Sequence, residues 1–408
     1  MKHVIIGVGA AGITAAKTIR ELKPRDEIIM ISEDEQIHSR CMLHKYISGE
    51  RSEAALSFVP LDFFETNRIE WHGGAKVTGI DPDAKVVLCT RDVISYDKLL
   101  IAAGAETFSL PVDALRKAKN VFGLRDLSDA KVIRKAAMNA QRVAVIGAGL
   151  VGLDAAYALL ELNKDVSVVE MGERILTLNL DERSAASYQT LFENAGCKFH
   201  LGRKVVDASV DSDGNVTGLI LDNGLAIPCD FVVEAAGARP AMGFLAKSGI
   251  EGDRGVKVNN NMVTNYPDIY AAGDITGLSA IWPNAMRQGE VAAKNMCGYA
   301  ETYDDSFTAK NTVNFFGLVT LTLGVLQPDT GDQVEIREDV RSYHKKILRD
   351  GRVIGLVIQG NIANTGFWQH LIKNGIRVDT VKKPIRKISF ADFYELDGSG
   401  QYVYAQNG

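Results

Sequence analysis

The hydrophobic pattern opens with a short apolar run, His3-Val-Ile-Ile6, followed by a glycine turn and a segment of small residues. The same order returns at Arg142-Val-Ala-Val-Ile146. Apolar runs of this length predict buried parallel strands, and the small-residue segments predict helices packed on them. Each helix is followed by a second strand ending in an acid, Glu33 and Glu170 respectively. Three further strands end in Ala-Gly: Ile101-Ala-Ala103-Gly104, Glu234-Ala-Ala-Gly237 and Tyr270-Ala-Ala-Gly273-Asp274. Between the first unit and these strands, residues 34–70 read as a polar loop and helix. A helix is predicted from about Asn284 to Cys297. Beyond it, short strands alternate with turns at Gly324, Gly351, Gly355 and Gly360 before a helix near 366–374. The fold class is therefore α/β, with two Rossmann-like units and a C-terminal α+β domain.

The two turns carry the chemistry. They read Gly7-Val-Gly9-Ala-Ala11-Gly12 and Gly147-Ala-Gly149-Leu-Val-Gly152. In a GxGxxG turn the first glycine permits the tight bend, and the second lets backbone approach a pyrophosphate. The third lets helix and strand pack closely. The helix N-terminus then offers unpaired N–H groups to the phosphates, and an acid about 20 residues on accepts from a ribose hydroxyl. Two such units in one chain imply two dinucleotides and electron transfer between them. Strands ending in Ala-Gly fit this picture, because small residues let backbone reach a ligand. A lone glycine turn has a purely structural reading, as does Asp274, which has the residue type of a helix N-cap.

Composition narrows the class. Hydrophobic residues are 46% and charged residues 24% of 408, ordinary globular usage. A net charge of −5 gives no basic field for nucleic acid. No apolar run approaches the roughly 20 residues of a membrane span. An opening strand leaves no room for a signal peptide. The five cysteines, Cys41, Cys89, Cys197, Cys229 and Cys297, form no CxxC pair. This argues against disulfides or an iron–sulfur site and for a reducing cytoplasm. No metal site is expected.

Together these segments resemble the pyridine nucleotide–disulfide oxidoreductases, with specific motifs to about residue 300 and only in outline beyond. The resemblance implies that Gly7, Gly9, Ala11, Gly12 and Glu33 hold the ADP half of FAD. It assigns Ala103 and Gly104 to a second flavin segment and Gly273 and Asp274 to a third, with Asp274 accepting from the ribityl chain. Trp282 would pack near the flavin. Gly147, Gly149, Gly152, Glu170 and Gly237 would hold NAD(H), with Asp154 standing where the family carries Glu near the nicotinamide. The implied domains are 1–110 with 240–307 for FAD, 111–239 for NAD, and an α+β interface domain at 308–408. The cofactor preference has a physical basis. A 2′-phosphate beside Glu170 meets repulsion of a few kcal/mol, roughly a hundredfold in affinity, so NADH is expected over NADPH.

The stretch His38-Ser39-Arg40-Cys41-Met42-Leu43-His44-Lys45 separates two branches of the resemblance. Rubredoxin, ferredoxin and nitrite reductase flavoproteins carry Arg-Pro-x-Leu-x-Lys there, which Arg40, Leu43 and Lys45 match. That branch implies an NADH:acceptor oxidoreductase serving an electron-carrier protein or an iron–sulfur subunit, as in 2-oxoacid oxidoreductase complexes. The single-cysteine branch, coenzyme A-disulfide reductases and NADH oxidases, instead places a redox Cys at Cys41. A helix start beside Arg40 lowers a thiol pKa and favours that role. Lys45 and the helix after Trp282 would stabilise reduced flavin. Arg40 counts as a cofactor contact; His38 and His44 receive no catalytic role. A non-catalytic FAD-binding assembly factor is a third reading. The cluster Lys382-Lys383-Pro-Ile-Arg386-Lys387 offers a docking surface for an acidic carrier. Both a homodimer and a subunit of a complex fit.

Overall fold

A computed structural model describes residues 1–304 and 310–404 of the chain. They form two compact units, one of residues 1–173 and 195–305, the other of 174–194 and 306–408. The boundary expected at 307/308 lies outside the described residues.

The first unit contains two parallel five-stranded sheets. One has the order Ile269–Ala271, Lys98–Ile101, Lys2–Ile6, Glu27–Ile31, Glu70–His72. It thus joins chain segments some 170 residues apart, since Leu99 pairs with Ile269. The other has the order Lys198–Leu201, Asp165–Glu170, Arg142–Ile146, Phe231–Glu234, Val121–Gly123. Both central strands, Lys2–Ile6 and Arg142–Ile146, bury their last four residues, as apolar runs covered on both faces should. Two three-stranded antiparallel sheets flank them, and Ala238–Pro240 pairs antiparallel with Ala105–Thr107.

Helix Ala10–Leu22 packs closely against helix Trp282–Met296. A Cβ on Gly289 would stand 2.2 Å from the Ala11 carbonyl oxygen, so only glycine permits the approach. That second helix starts two residues before the expected Asn284 because Pro283 occupies its first turn, where a missing N–H costs nothing. Among the described residues, no helix is long and apolar enough to cross a membrane.

The second unit is an antiparallel sheet ordered Lys310–Phe315, Leu318–Gly324, Arg352–Gln359, Ser342–Arg349, Gln333–Asp339. Helix Thr365–Lys373 closes its core through Phe367, Trp368 and Leu371. Helix Glu182–Asn194 lies in sequence within the stretch read as the second nucleotide unit, yet its partners are here. Tyr188 donates to the Leu318 carbonyl at 2.8 Å, and Asp181 accepts from the Tyr343 hydroxyl at 2.6 Å.

Candidate active site between two nucleotide folds

Both glycine turns have the same local geometry. Gly7 and Gly147 each take φ +106°, and a Cβ on either would lie 2.2 or 2.5 Å from a carbonyl oxygen of the neighbouring strand end, Ala102 or Ala235. Gly9 and Gly149 precede their helices in extended conformation, and a Cβ there meets nothing within 4 Å. That open space is backbone left bare toward a ligand. Gly12 and Gly152 are the opposite case: a Cβ would stand 2.1 and 1.9 Å from the carbonyls of Gly7 and Gly147.

A cavity of about 530 Å³ gathers Gly7, Gly9, Ala11, Glu33, Arg40 and Cys41 from the first segment. Ala103, Gly104, Gly273, Asp274 and Trp282 line it from the other strand ends and the following helix. Trp282 is held edge-on by Phe58, with ring centres 4.8 Å apart. A second cavity of about 430 Å³ is lined by Val151, Glu234 and Gly237 and shares Ala105, Arg125, Asp274 and Ala280 with the first. The remaining residues singled out in the sequence, Gly12, Lys45, Gly147, Gly149, Gly152, Asp154 and Glu170, line neither.

Asp274 is not the side-chain cap that its residue type allows. Gly273, at φ +83°, caps the short 3₁₀ turn Asp274–Thr276, and the Asp274 carboxylate pairs with Arg125 at 2.5 Å. Arg125 is the residue that sequence reasoning missed. Its Nε donates to the Ala105 carbonyl at 3.0 Å, and its own carbonyl accepts from Arg40 at 2.9 Å. It therefore ties the segments ending in Gly104 and Gly273 to each other and to the Arg40 stretch. No motif in the sequence marks it; in the structure it follows strand Val121–Gly123.

Two expectations need correction. Cys41 is exposed, yet the protein crowding its thiol raises it above its ordinary range, with Asp154 and Asp274 adding to the rise and Arg125 opposing it. Arg40 does not supply the expected help, because its guanidinium is committed to Asp34 at 3.0 Å and to the Arg125 carbonyl. Lys45 points elsewhere too, bonding Glu50 at 2.5 Å and lying over the Tyr157 ring. Its neighbour His44 approaches Asp154 at 3.5 Å. Burial lowers His44 to about 4 and raises Asp154 to about 8, so near neutral pH the contact joins two neutral groups and is no ion pair.

In the second fold, Glu170 accepts from the N–H groups of Ala148 and Gly172, both at 2.7 Å. Glu33 is exposed and pairs loosely with Lys76 at 3.3 Å.

Comparison with known proteins places this geometry. A chain with 30% identity over 367 residues is the nitrite reductase [NAD(P)H] of Bacillus subtilis (strain 168); the match covers 88% of this chain but only 45% of that one. The NADH-dependent phenylglyoxylate dehydrogenase subunit epsilon of Aromatoleum evansii is 29% identical, with 91% of each chain covered. Among solved structures, the ferredoxin reductase for the CYP199A2 system from Rhodopseudomonas palustris superposes with a TM-score of 0.84 at 26% identity, covering 92% of this chain and 95% of that one. The profile of one family matches residues 1–289, well over half the chain: this protein belongs to the Pyridine nucleotide-disulphide oxidoreductase family.

Proposed function

We propose that this chain is an NADH-oxidising flavoprotein that passes electrons between NAD(H) and an electron-carrier protein or an iron–sulfur partner subunit. The observation that carries the reading is the pair of adjoining cavities with Arg125 and Asp274 on their common wall. FAD fits the larger one: bare backbone at Gly9, a helix N-terminus behind it and Glu33 at its edge suit an adenosine pyrophosphate. For NADH the second fold offers bare backbone at Gly149 before a helix N-terminus and the acid Glu170, both outside the two cavities. A bound flavin supplies the exchange between hydride transfer and single-electron transfer. The chain's own residues bind and orient: Asp274, fixed by Arg125, accepts from a ligand hydroxyl, and Trp282 walls the reactive end.

The partner follows from chemistry. The sequence carries no CxxC pair, so the proposed iron–sulfur centre lies outside these residues. Lys382, Arg386 and Lys387 are exposed with no ion pair among the described residues, while Lys383 is bound to Asp392, so three cations stay available for an acidic surface. The phenylglyoxylate dehydrogenase relative, matched along its length, is a subunit of an enzyme for a 2-oxo acid, which supports membership of such a complex.

Anaerobic addition of NADH to the reconstituted protein tests this. The flavin should bleach and then recover its colour on addition of an oxidised ferredoxin-type carrier. A flavin that stays oxidised under NADH would leave the assembly-factor reading standing instead.

Cys41 gives a companion expectation. A thiol held protonated is a poor nucleophile. Cys41→Ser should therefore keep bound FAD and its rate of reduction within about twofold, and both proteins should accept two electrons per flavin. A wild type that takes up four, with two in the variant, would put a redox-active Cys41 and the single-cysteine branch in its place.

A further inference from the structure

The antiparallel sheet of the second unit ends on strand Gln333–Asp339, which pairs with Ser342–Arg349 on one side. Among the described residues no strand pairs with its other side. An open edge presents a row of unpaired N–H and C=O groups and is a template for a further strand. The parallel sheets of the first unit end on strands of three or four residues, Glu70–His72, Val121–Gly123, Lys198–Leu201 and Ile269–Ala271. Edges that short give a further strand little to hold. Gln333–Asp339 has seven residues with no proline, glycine or lysine, and no bulge against its neighbour. It offers an edge about 24 Å long. Val334 and Ile336 leave 43% and 58% of their surface to solvent.

The charges on this strand select a register. In an antiparallel pair, residues with outward-facing backbone groups stand opposite one another. A two-fold axis relating two copies of one strand therefore passes through a residue. Only an axis at Ile336 pairs all seven positions. It sets Glu335 opposite Arg337 of the second copy, twice over. Ile336 then stands opposite itself, with Val334 diagonally across. Glu338 falls opposite Val334, and its charge is matched within its own chain by Arg183. An axis at Glu335 would set that carboxylate against itself. An axis at Arg337 would oppose two guanidinium groups and place Glu335 across from Asp339. Opposite charges across a pair stabilise and like charges destabilise, so the longest register is also the complementary one. Arg337 reaches Asp339 of its own chain at 3.9 Å, and Lys346 holds one oxygen of Glu335 at 3.0 Å. A guanidinium and a carboxylate each have capacity for a further partner.

We propose that Gln333–Asp339 is a self-association edge, on which two copies of this chain pair antiparallel about Ile336 and join their C-terminal sheets into one. The pairing is independent of the cofactor assignment.

The test is sedimentation velocity of the full-length protein from micromolar to submillimolar concentration, with folding checked by circular dichroism. The wild type should pass from monomer to dimer across that range. Glu335→Arg sets arginines opposite each other at both charged pairs, and Arg337→Glu does the same with carboxylates. Each alone should weaken the dimer at least about tenfold. Mixed in equal amounts, the two variants should dimerise as the wild type does, because both pairs between them are again complementary. Should Glu335→Arg fail to fold beside Lys346, Ile336→Lys and Ile336→Glu repeat the design at the axis, each monomeric alone and dimeric when mixed. A wild type that stays monomeric throughout overturns the proposal, as do charge-reversal variants that dimerise like wild type. Variants that stay monomeric both alone and in the mixture overturn it too, since Glu335 and Arg337 are then not opposite.

Discussion

Gly9→Val should yield a folded protein that does not retain FAD. Gly9 lies at φ −75° and ψ −172°, a backbone conformation that a β-branched residue adopts without strain. Its Cβ would meet no protein atom within 4 Å, so nothing in the apoprotein has to move. The melting temperature of the apoprotein should stay within about 2 °C of wild type, the size of a surface substitution. The added side chain instead occupies the space through which backbone reaches a pyrophosphate. Affinity for FAD should fall by at least about a hundredfold, roughly 2.7 kcal/mol. Gly12→Val provides the contrast. There a Cβ collides with the Gly7 carbonyl at 2.1 Å, so the helix must shift from its strand, and overpacking of this kind costs about 1–3 kcal/mol or more. Calorimetry of the two apoproteins, with visible absorbance after FAD addition, separates loss of ligand from loss of fold. A yellow Gly9→Val protein with wild-type affinity would remove the first glycine turn from the binding site.

These two glycines also mark what the sequence can and cannot reveal. The relation of Gly7 to Gly12 is local: five residues and a tight turn determine it, and the apolar runs beside it identify the strands. The same holds for Gly147 and Gly152. Arg125 is legible in no such way. Its carboxylate partner is 149 positions distant, and the pairing exists because the chain after strand Val121–Gly123 meets the chain after strand Ile269–Ala271 of the other parallel sheet. Cys41 illustrates a second limit. Beside an arginine in sequence, its thiol reads as activated, but the guanidinium turns to Asp34 and the thiol is left to desolvation. His44 and Asp154 show the same physics: they meet only in the fold, at 3.5 Å, and burial makes both neutral. Helix Glu182–Asn194 shows a third limit. Its amphipathic pattern announces a buried face, but only tertiary contacts reveal that the C-terminal sheet covers it.

NADH should reduce the flavin about a hundredfold more efficiently than NADPH, and Glu170 should account for most of that gap. A carboxylate free to rotate could swing away from an incoming 2′-phosphate. This one cannot, because two backbone N–H groups, those of Ala148 and Gly172, hold its oxygens at 2.7 Å. A unit charge about 4 Å from a fixed carboxylate is repelled by up to ~4 kcal/mol at an effective dielectric near 20, and screening by salt lowers this to the hundredfold range. Glu170→Ala removes the charge and should bring the two donors within about tenfold of each other, chiefly by accelerating NADPH. Glu170→Gln keeps the shape and an acceptor, so it should close much of the gap while slowing NADH less. Anaerobic rapid mixing with each nucleotide, compared as second-order reduction rates, measures all three. The same two hydrogen bonds supply the competing explanation, in which Glu170 serves only to brace the glycine turn. Bracing affects both nucleotides alike, so Glu170→Ala would then slow NADH and NADPH together with their ratio unchanged, and the charge argument would fail.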